Sequence, residues 1–479
     1  MRNLSLLLSL WGLLFFSACS VNPVTGERDF VLISEDAELE MGRTYNAQVL
    51  QYQRPYEVAA VQNYVQLVGD SLSEISHRSN LVYRFTVLDS PDVNAFALPG
   101  GYIYINRGLM AYLSSEAELA AVLGHEIGHV TARHSVKQIS QAQLLNLLSY
   151  AVATKAGTSA GDLANIASGA LLAGYGRDME LQADSLGAEY MAKVGYSPRG
   201  MLDTISVLKE HEIYSKKVSL RRGSNPQTYH GIFSSHPTTD KRLNEVITKA
   251  ETLRQVKFET DSVKYLKMIE GMVYGDSEAD GIRRGNSFYH KDMDIRLMAP
   301  EDWEIINSPN SLIFNAPKGE AYLRLSVIDR VRKESPKEYL TRTIGRGQVY
   351  QEKEMKLGVY EAYTALLNNG YNTSRVAIVF KDKKIFTFYG TTVVNGLSIN
   401  AVDKRFQFIV NSFRSLKETE KKLVEPLRLK LYKVRKGDTY SSLAKRSPIP
   451  FDPESKLRLL NGDYPEGNLQ KGQLIKIVE

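Results

Sequence analysis

Apolar residues return at helical spacing at Leu119, Val122, Leu123, Ile127 and Val130, and Ser115 with Glu118 forms a capping box ahead of them. This predicts a helix that begins just after Ser115. Val58, Val61, Val65, Val68 and Leu72 mark the buried face of an earlier helix over about 56–76. Ser34, followed by Glu35 and Asp36, is placed as the N-cap of a helix before that one. Over 81–88 the period changes to two, with Val82, Arg84 and Thr86 on one face and Tyr83, Phe85 and Val87 on the other, which reads as a strand. Pro99-Gly100-Gly101 then turns the chain into Tyr102-Ile103-Tyr104-Ile105-Asn106, a hairpin just ahead of the capped helix. Residues 136–176 are apolar and rich in Ala, Gly and Ser, and read as two helices suited to a movable cover. Beyond about residue 250 a charged stretch gives way to alternation at Met293, Ile295 and Leu297 and at Leu323, Leu325 and Val327. A hairpin of 376–380 with 385–389 follows, and Phe406, Ile409, Val410 and Phe413 form the apolar face of a closing helix.

The expected fold class is therefore α+β in several domains. A mainly α-helical unit with a small sheet covers 34–255, a linker 256–285, an α+β antiparallel-sheet unit 286–417, and a small unit 428–479. A length of 479 residues agrees, being more than one hydrophobic core supports. Hydrophobic residues at 43% and charged residues at 24% are ordinary for globular protein. The net charge of +6 comes without long basic blocks, and no zinc-knuckle or aromatic–basic motif accompanies it. Nucleic acid is excluded as a partner on that ground, and weak attraction to anionic surfaces is retained.

The chain has one cysteine, Cys19, so an internal disulfide is excluded. Met1-Arg2-Asn3 is a short positive start, residues 4–16 are an apolar run too short to span a bilayer, and small Ser17 and Ala18 precede Cys19. Residues 1–18 resemble a bacterial lipoprotein signal, although Phe16 stands where leucine is usual. The resemblance implies that Cys19 is acylated and that 19–33 is a lipid-anchored tether. Ser20, where an aspartate would resemble an inner-membrane retention signal, favours the periplasmic face of the outer membrane. An ordinary secretory peptide would instead give a soluble periplasmic or secreted protein.

The capped helix carries His125-Glu126-Ile127-Gly128-His129. Histidines four apart stand one above the other on a helix, about 5–6 Å apart at Cβ, and suit one tetrahedral Zn²⁺. Glu126 lies about 100° around the axis from His125, able to reach a water on the metal as general base. Gly124 and Gly128 each cost about 1 kcal/mol in a helix interior, which implies that another segment packs very close there. On a straight helix His134 lies about 140° from His129, a poor third ligand. Glu180 and Asp184 are four apart on a later helical stretch. Glu180 can supply the third ligand, and Asp184 can accept a hydrogen bond from a ligating histidine. His₂Glu with one open position is a catalytic rather than a structural pattern, with one Zn²⁺ per chain. Asn94, Ala95, Phe96 and Ala97 form a candidate edge strand on which a substrate backbone can pair.

His125-Glu126-x-x-His129, Glu180-x-x-x-Asp184 and the stretch Asn94-Ala95-Phe96-Ala97-Leu98-Pro99-Gly100-Gly101 together resemble the gluzincin metallopeptidases of the CAAX prenyl protease and the mitochondrial inner-membrane quality-control peptidase. Cys19 and Asn22-Pro23-Val24-Thr25-Gly26 resemble the bacterial lipoprotein branch. The resemblance covers about 19–255. It implies a zinc metalloendopeptidase whose substrates are misfolded or stalled envelope proteins. His236-Pro237, with Arg242, also matches this family. His236 could donate to the oxyanion of the reaction, occupy the open zinc position and hold the enzyme latent, or simply cap a following helix. Residues 286–417 weakly resemble PsbP-like sheets, with an accessory role implied. Tyr432-Lys-Val-Arg-Lys-Gly-Asp-Thr-Tyr-Ser-Ser-Leu-Ala and the later 457–462 and 469–477 are similar to a LysM module, interrupted by Pro448, Pro450 and Pro453. That implies contact with peptidoglycan. Two rival functions stay open, a peptidoglycan endopeptidase and a non-proteolytic assembly factor or chaperone.

Overall fold

The computed structural model describes residues 19–153, 174–221, 262–308, 311–344, 348–368, 370, 372–394 and 397–479. The signal at 1–18, the second helix of the expected cover and His236 with the helix after it lie outside the described residues.

The capped helix runs Glu116–Thr131, and each of its residues is buried. Ser115 Oγ accepts the Glu118 N–H at 3.1 Å, while Glu118 accepts from the Ser114 N–H at 2.9 Å, so the start of the helix is fixed as expected. Helix Ala59–Ser73 covers it on one side with Val61, Val65, Val68 and Leu72. The strand expected over 81–88 is shorter, Arg84–Leu88, and joins Tyr102–Asn106 in parallel. Ala95–Leu98 pairs antiparallel with Tyr102–Asn106 through a turn with Gly100 at φ +78° and Gly101 at φ +91°, which glycine adopts without strain. In this three-stranded sheet Ala95–Leu98 is an edge.

Two stretches read as connectors are built into the core instead. Residues 19–33 do not hang free: Cys19–Val21 pairs with Arg28–Phe30, and Asn22 closes the turn by accepting the Val24 N–H at 2.8 Å. Val31 and Ile33 then pack on Val136 and Ile139. In the expected linker, helix Ser262–Ile269 buries Tyr265, Leu266 and Ile269 in the main core, and the Tyr265 hydroxyl donates to the Met110 carbonyl at 2.7 Å. The charged character of this stretch belongs to its outer face, which hid the Tyr265–Leu266–Ile269 face from a composition reading.

Strand Leu427–Lys433, helices Tyr440–Ala444 and Pro453–Leu460 and strand Leu474–Val478 form the last unit. Pro453 does not interrupt it, because it sits in the first turn of its helix, where no N–H is needed. This unit is not a separate bead. Leu427 and Arg428 pair with Val273–Tyr274, and Leu429, Tyr440, Leu457, Leu460 and Ile475 share one apolar cluster with Leu119, Leu123 and Leu208. Helix Arg199–Arg221 lies along the junction, where Tyr214 meets Tyr464 edge-on at 5.8 Å and Arg221 faces Asp452 at 3.7 Å.

Glu210 of that helix points at the same junction. Burial, with Asp463 close by, pushes its carboxyl up to about 7. The folded protein therefore holds a proton there that the unfolded chain releases near its ordinary value. Stability from this group is complete in acid and is lost as pH rises through about 7. We expect Glu210→Gln to melt higher than the parent at pH 8 and at the same temperature at pH 4, read by thermal scans across that range.

Residues 304–392 build a seven-stranded antiparallel sheet in the order 304–308, 311–315, 321–329, 384–392, 373–381, 360–368, 348–357. Helix Ile399–Asn411 closes one face with Phe406 and Ile409, and helix Pro336–Ile344 sets Tyr339 and Leu340 on the other. The expected 376–380/385–389 hairpin and closing helix are both present.

Candidate metal centre

The second helix of the site, Arg177–Val194, crosses the capped helix at the two glycines. A Cβ at Gly124 would lie 3.2 Å from Gly187 Cα, and one at Gly128 would lie 2.9 Å from the Ala183 carbonyl oxygen. The glycines thus let two backbones touch, and that closeness carries Glu180 and Asp184 to the histidines.

His125, His129 and Glu180 converge with donor atoms all within 4.8 Å of one another. His125 Nε2 and His129 Nε2 are 3.0 Å apart, with Glu180 oxygens 3.6 Å and 3.3 Å from them. Ligands at tetrahedral Zn–N and Zn–O bond lengths stand about 3.3 Å from each other, so the donor set fits zinc. Burial holds the His129 imidazole well below its ordinary value, in the neutral form that can ligate. Asp184 Oδ1 lies 2.8 Å from His125 Nδ1, which puts the proton there and leaves Nε2 for a metal. Glu126, only 1% exposed, sits between the two ligands on the same helix. Asp178 is exposed on the outer side. Ala95–Leu98 packs against the capped helix with its outer edge unpaired by any strand among the described residues, and Asn94 stands just before it, where its carbonyl accepts the Asn106 N–H at 2.9 Å.

Three residues escaped the sequence reading. Tyr175 stacks on the His129 ring at 3.9 Å and 17°, and its hydroxyl meets Ser135 Oγ at 2.7 Å. Its position between Gly174 and Gly176 was the only signal. His134 lies outside the converging donor set, but it is not turned away. Its Nδ1 lies 2.8 Å from His129 Nδ1, and its Nε2 2.9 Å from Gln182 Oε1. The straight-helix assumption failed because the capped helix ends at Thr131 and the chain swings through Arg133 at φ +55° into a new helix, His134–Ala153. Gln182, midway between Glu180 and Asp184, had no pattern of its own.

Residues 59–250 match peptidase family M48, and residues 432–478 match the LysM domain. The beta-barrel assembly-enhancing protease of Yersinia pestis is 26% identical over 48% of this chain and 48% of its own length. The mitochondrial metalloendopeptidase OMA1 of Arabidopsis thaliana is 37% identical over 26% of this chain and 25% of its own, and that of Schizosaccharomyces pombe 25% identical over 49% and 67%. The chain spans about half the length of the first of these relatives and a quarter of the second. The two histidines and the distant glutamate that meet at one point lie inside the stretch that matches peptidase family M48, residues 59–250, and residues 432–478 match the LysM domain.

Proposed function

We propose that this protein is a zinc-dependent endopeptidase that cuts unfolded or misassembled proteins of the bacterial envelope. The observation that carries the reading is the buried His125–His129–Glu180 cluster with Glu126 beside it and the sheet-edge strand 95–98 alongside. Zinc, when bound, supplies Lewis acidity at a scissile carbonyl and acidifies a water towards a pKa of about 7. Glu126 takes the proton of the attacking water and passes it to the leaving amine. The 95–98 edge holds the substrate as an added strand, through main-chain bonds that tolerate any sequence, which suits unfolded chains. The relatives named for β-barrel assembly support an envelope substrate.

Cys19 and its acyl chains place the enzyme on the periplasmic face of the outer membrane in this reading. Among the described residues no helix is long and apolar enough to cross a membrane. The LysM domain faces the wall. Residues 428–479 hold eleven Lys and Arg against six Asp and Glu, nearly all of the chain's +6. Lys433, Arg435, Lys436 and Lys471 line a cleft of about 450 Å³ beside Tyr432, suited to the carboxylates of wall peptides.

That cleft also favours a second reading, an endopeptidase of the wall peptides themselves. The zinc-loaded full chain should be offered an unfolded outer-membrane barrel protein and purified wall peptides in parallel. Cleavage of the unfolded protein is expected. Cleavage of wall peptides alone would overturn the first reading in favour of the second.

A further inference from the structure

His134 faces the back of a metal ligand, and the identity of its neighbours fixes which way its protons run. For His129 to ligate through Nε2, its proton must sit on Nδ1. That N–H points at His134 Nδ1, 2.8 Å away, which must then be the bare, accepting nitrogen. The His134 proton is left on Nε2, where Gln182 Oε1 accepts it at 2.9 Å. Each bond dictates the next, and the order ends on an amide oxygen. With His129 Nε2 given to a metal, a proton on His134 Nδ1 would set two N–H groups face to face at that distance.

The backbone is shaped to hold this arrangement. Arg133 takes a left-handed φ of +55°, uncommon for a residue with a side chain, and so brings His134 back beneath His129. The Arg133 guanidinium keeps that turn closed by donating to Glu38 at 2.8 Å and to the Ile33 carbonyl at 3.1 Å. Glu38 is buried and also receives Arg78 at 2.7 Å. Helix Arg177–Val194 thus serves the centre three times: Glu180 toward the metal, Asp184 behind His125, and Gln182 at the far end of the path from His129.

We propose that His134 and Gln182 are positioning residues that form a two-step relay fixing the His129 tautomer, so that both histidine ligands are oriented from the helix that supplies the third ligand. The inference rests on the zinc reading of the site. Its test is zinc affinity of the full chain, measured by competition with a chromophoric chelator, so activity is not the readout.

His134→Phe keeps a ring but no acceptor and should weaken zinc binding by about 10–100-fold. Gln182→Met should weaken it in the same direction, and Gln182→Glu, which still accepts, should hold the parent affinity. Because the relay acts as one unit, Gln182→Met added to His134→Phe should change nothing further. Imidazole ¹⁵N spectra of the zinc-loaded parent should show the His134 proton on Nε2. Should His134→Phe fail to fold, Gln182→Met with Gln182→Glu carries the test. Zinc bound within about twofold of the parent by His134→Phe, or by Gln182→Met where the former does not fold, overturns the relay alone. A His134 proton found on Nδ1 does the same. A parent that binds zinc no better than His129→Ala would overturn the metal reading and the relay together.

Discussion

Glu126→Gln folds, keeps its zinc and loses proteolysis by about 10²–10⁴-fold, the usual contribution of a positioned general base. The donors that converge to fit a metal are His125, His129 and Glu180, so the amide is expected to remove no metal bond. It is isosteric, and the site packs as before around a residue that is 1% exposed. What is lost is a group that can take a proton from water and hand it on. Residual caseinolysis, metal content by elemental analysis and the thermal melt should be measured on one preparation. A variant that holds zinc and melts like the parent but cleaves at the parent rate would remove Glu126 from the chemistry. A variant that loses zinc would mean that its carboxylate is a ligand.

Lys476→Met is expected to destabilise the whole N-terminal unit by about 3–5 kcal/mol, the cost of breaking a buried polar pair from one side. Lys476 belongs to the last strand of the LysM domain, yet it is 1% exposed and its Nζ donates to the Leu113 carbonyl at 2.5 Å and approaches Ser114 Oγ at 3.3 Å. These groups immediately precede the capping box of the helix that bears His125 and His129. Burial pushes the Lys476 ammonium down to about 7, and burial pushes the nearby Glu118 carboxyl up, so each depends on the other. The melt should fall by roughly 5–15 °C, and adding Glu118→Gln should restore part of it. A LysM domain that were a free tether would let Lys476→Met alter wall binding alone, with the peptidase melting unchanged.

Much of the centre is legible in the amino-acid sequence. Two histidines four apart with a glutamate between them, and a second carboxylate pair four apart, are local patterns that a helix converts directly into geometry. The glycines at 124 and 128 announce a close neighbour, and Gly187 with Ala183 is that neighbour. The His134 relay is not legible, because it depends on one left-handed residue that ends a helix early, and nothing in the spacing marks Arg133 for that role. The integration of 262–274 and of the LysM domain is hidden for a different reason. Tyr265, Leu266 and Ile269 are too few to outweigh the charges around them, and their partners are more than a hundred residues away in sequence. Composition sees a linker where long-range packing makes a wall of the core.

The most direct test of the central claim is metal stoichiometry of the purified full chain beside Glu180→Ala and Glu126→Gln. A His₂Glu centre predicts one zinc per chain in the parent and in Glu126→Gln, and none in Glu180→Ala after dialysis against a mild chelator. Full zinc retained by Glu180→Ala would contradict the account, since the two helices would then meet without building the site.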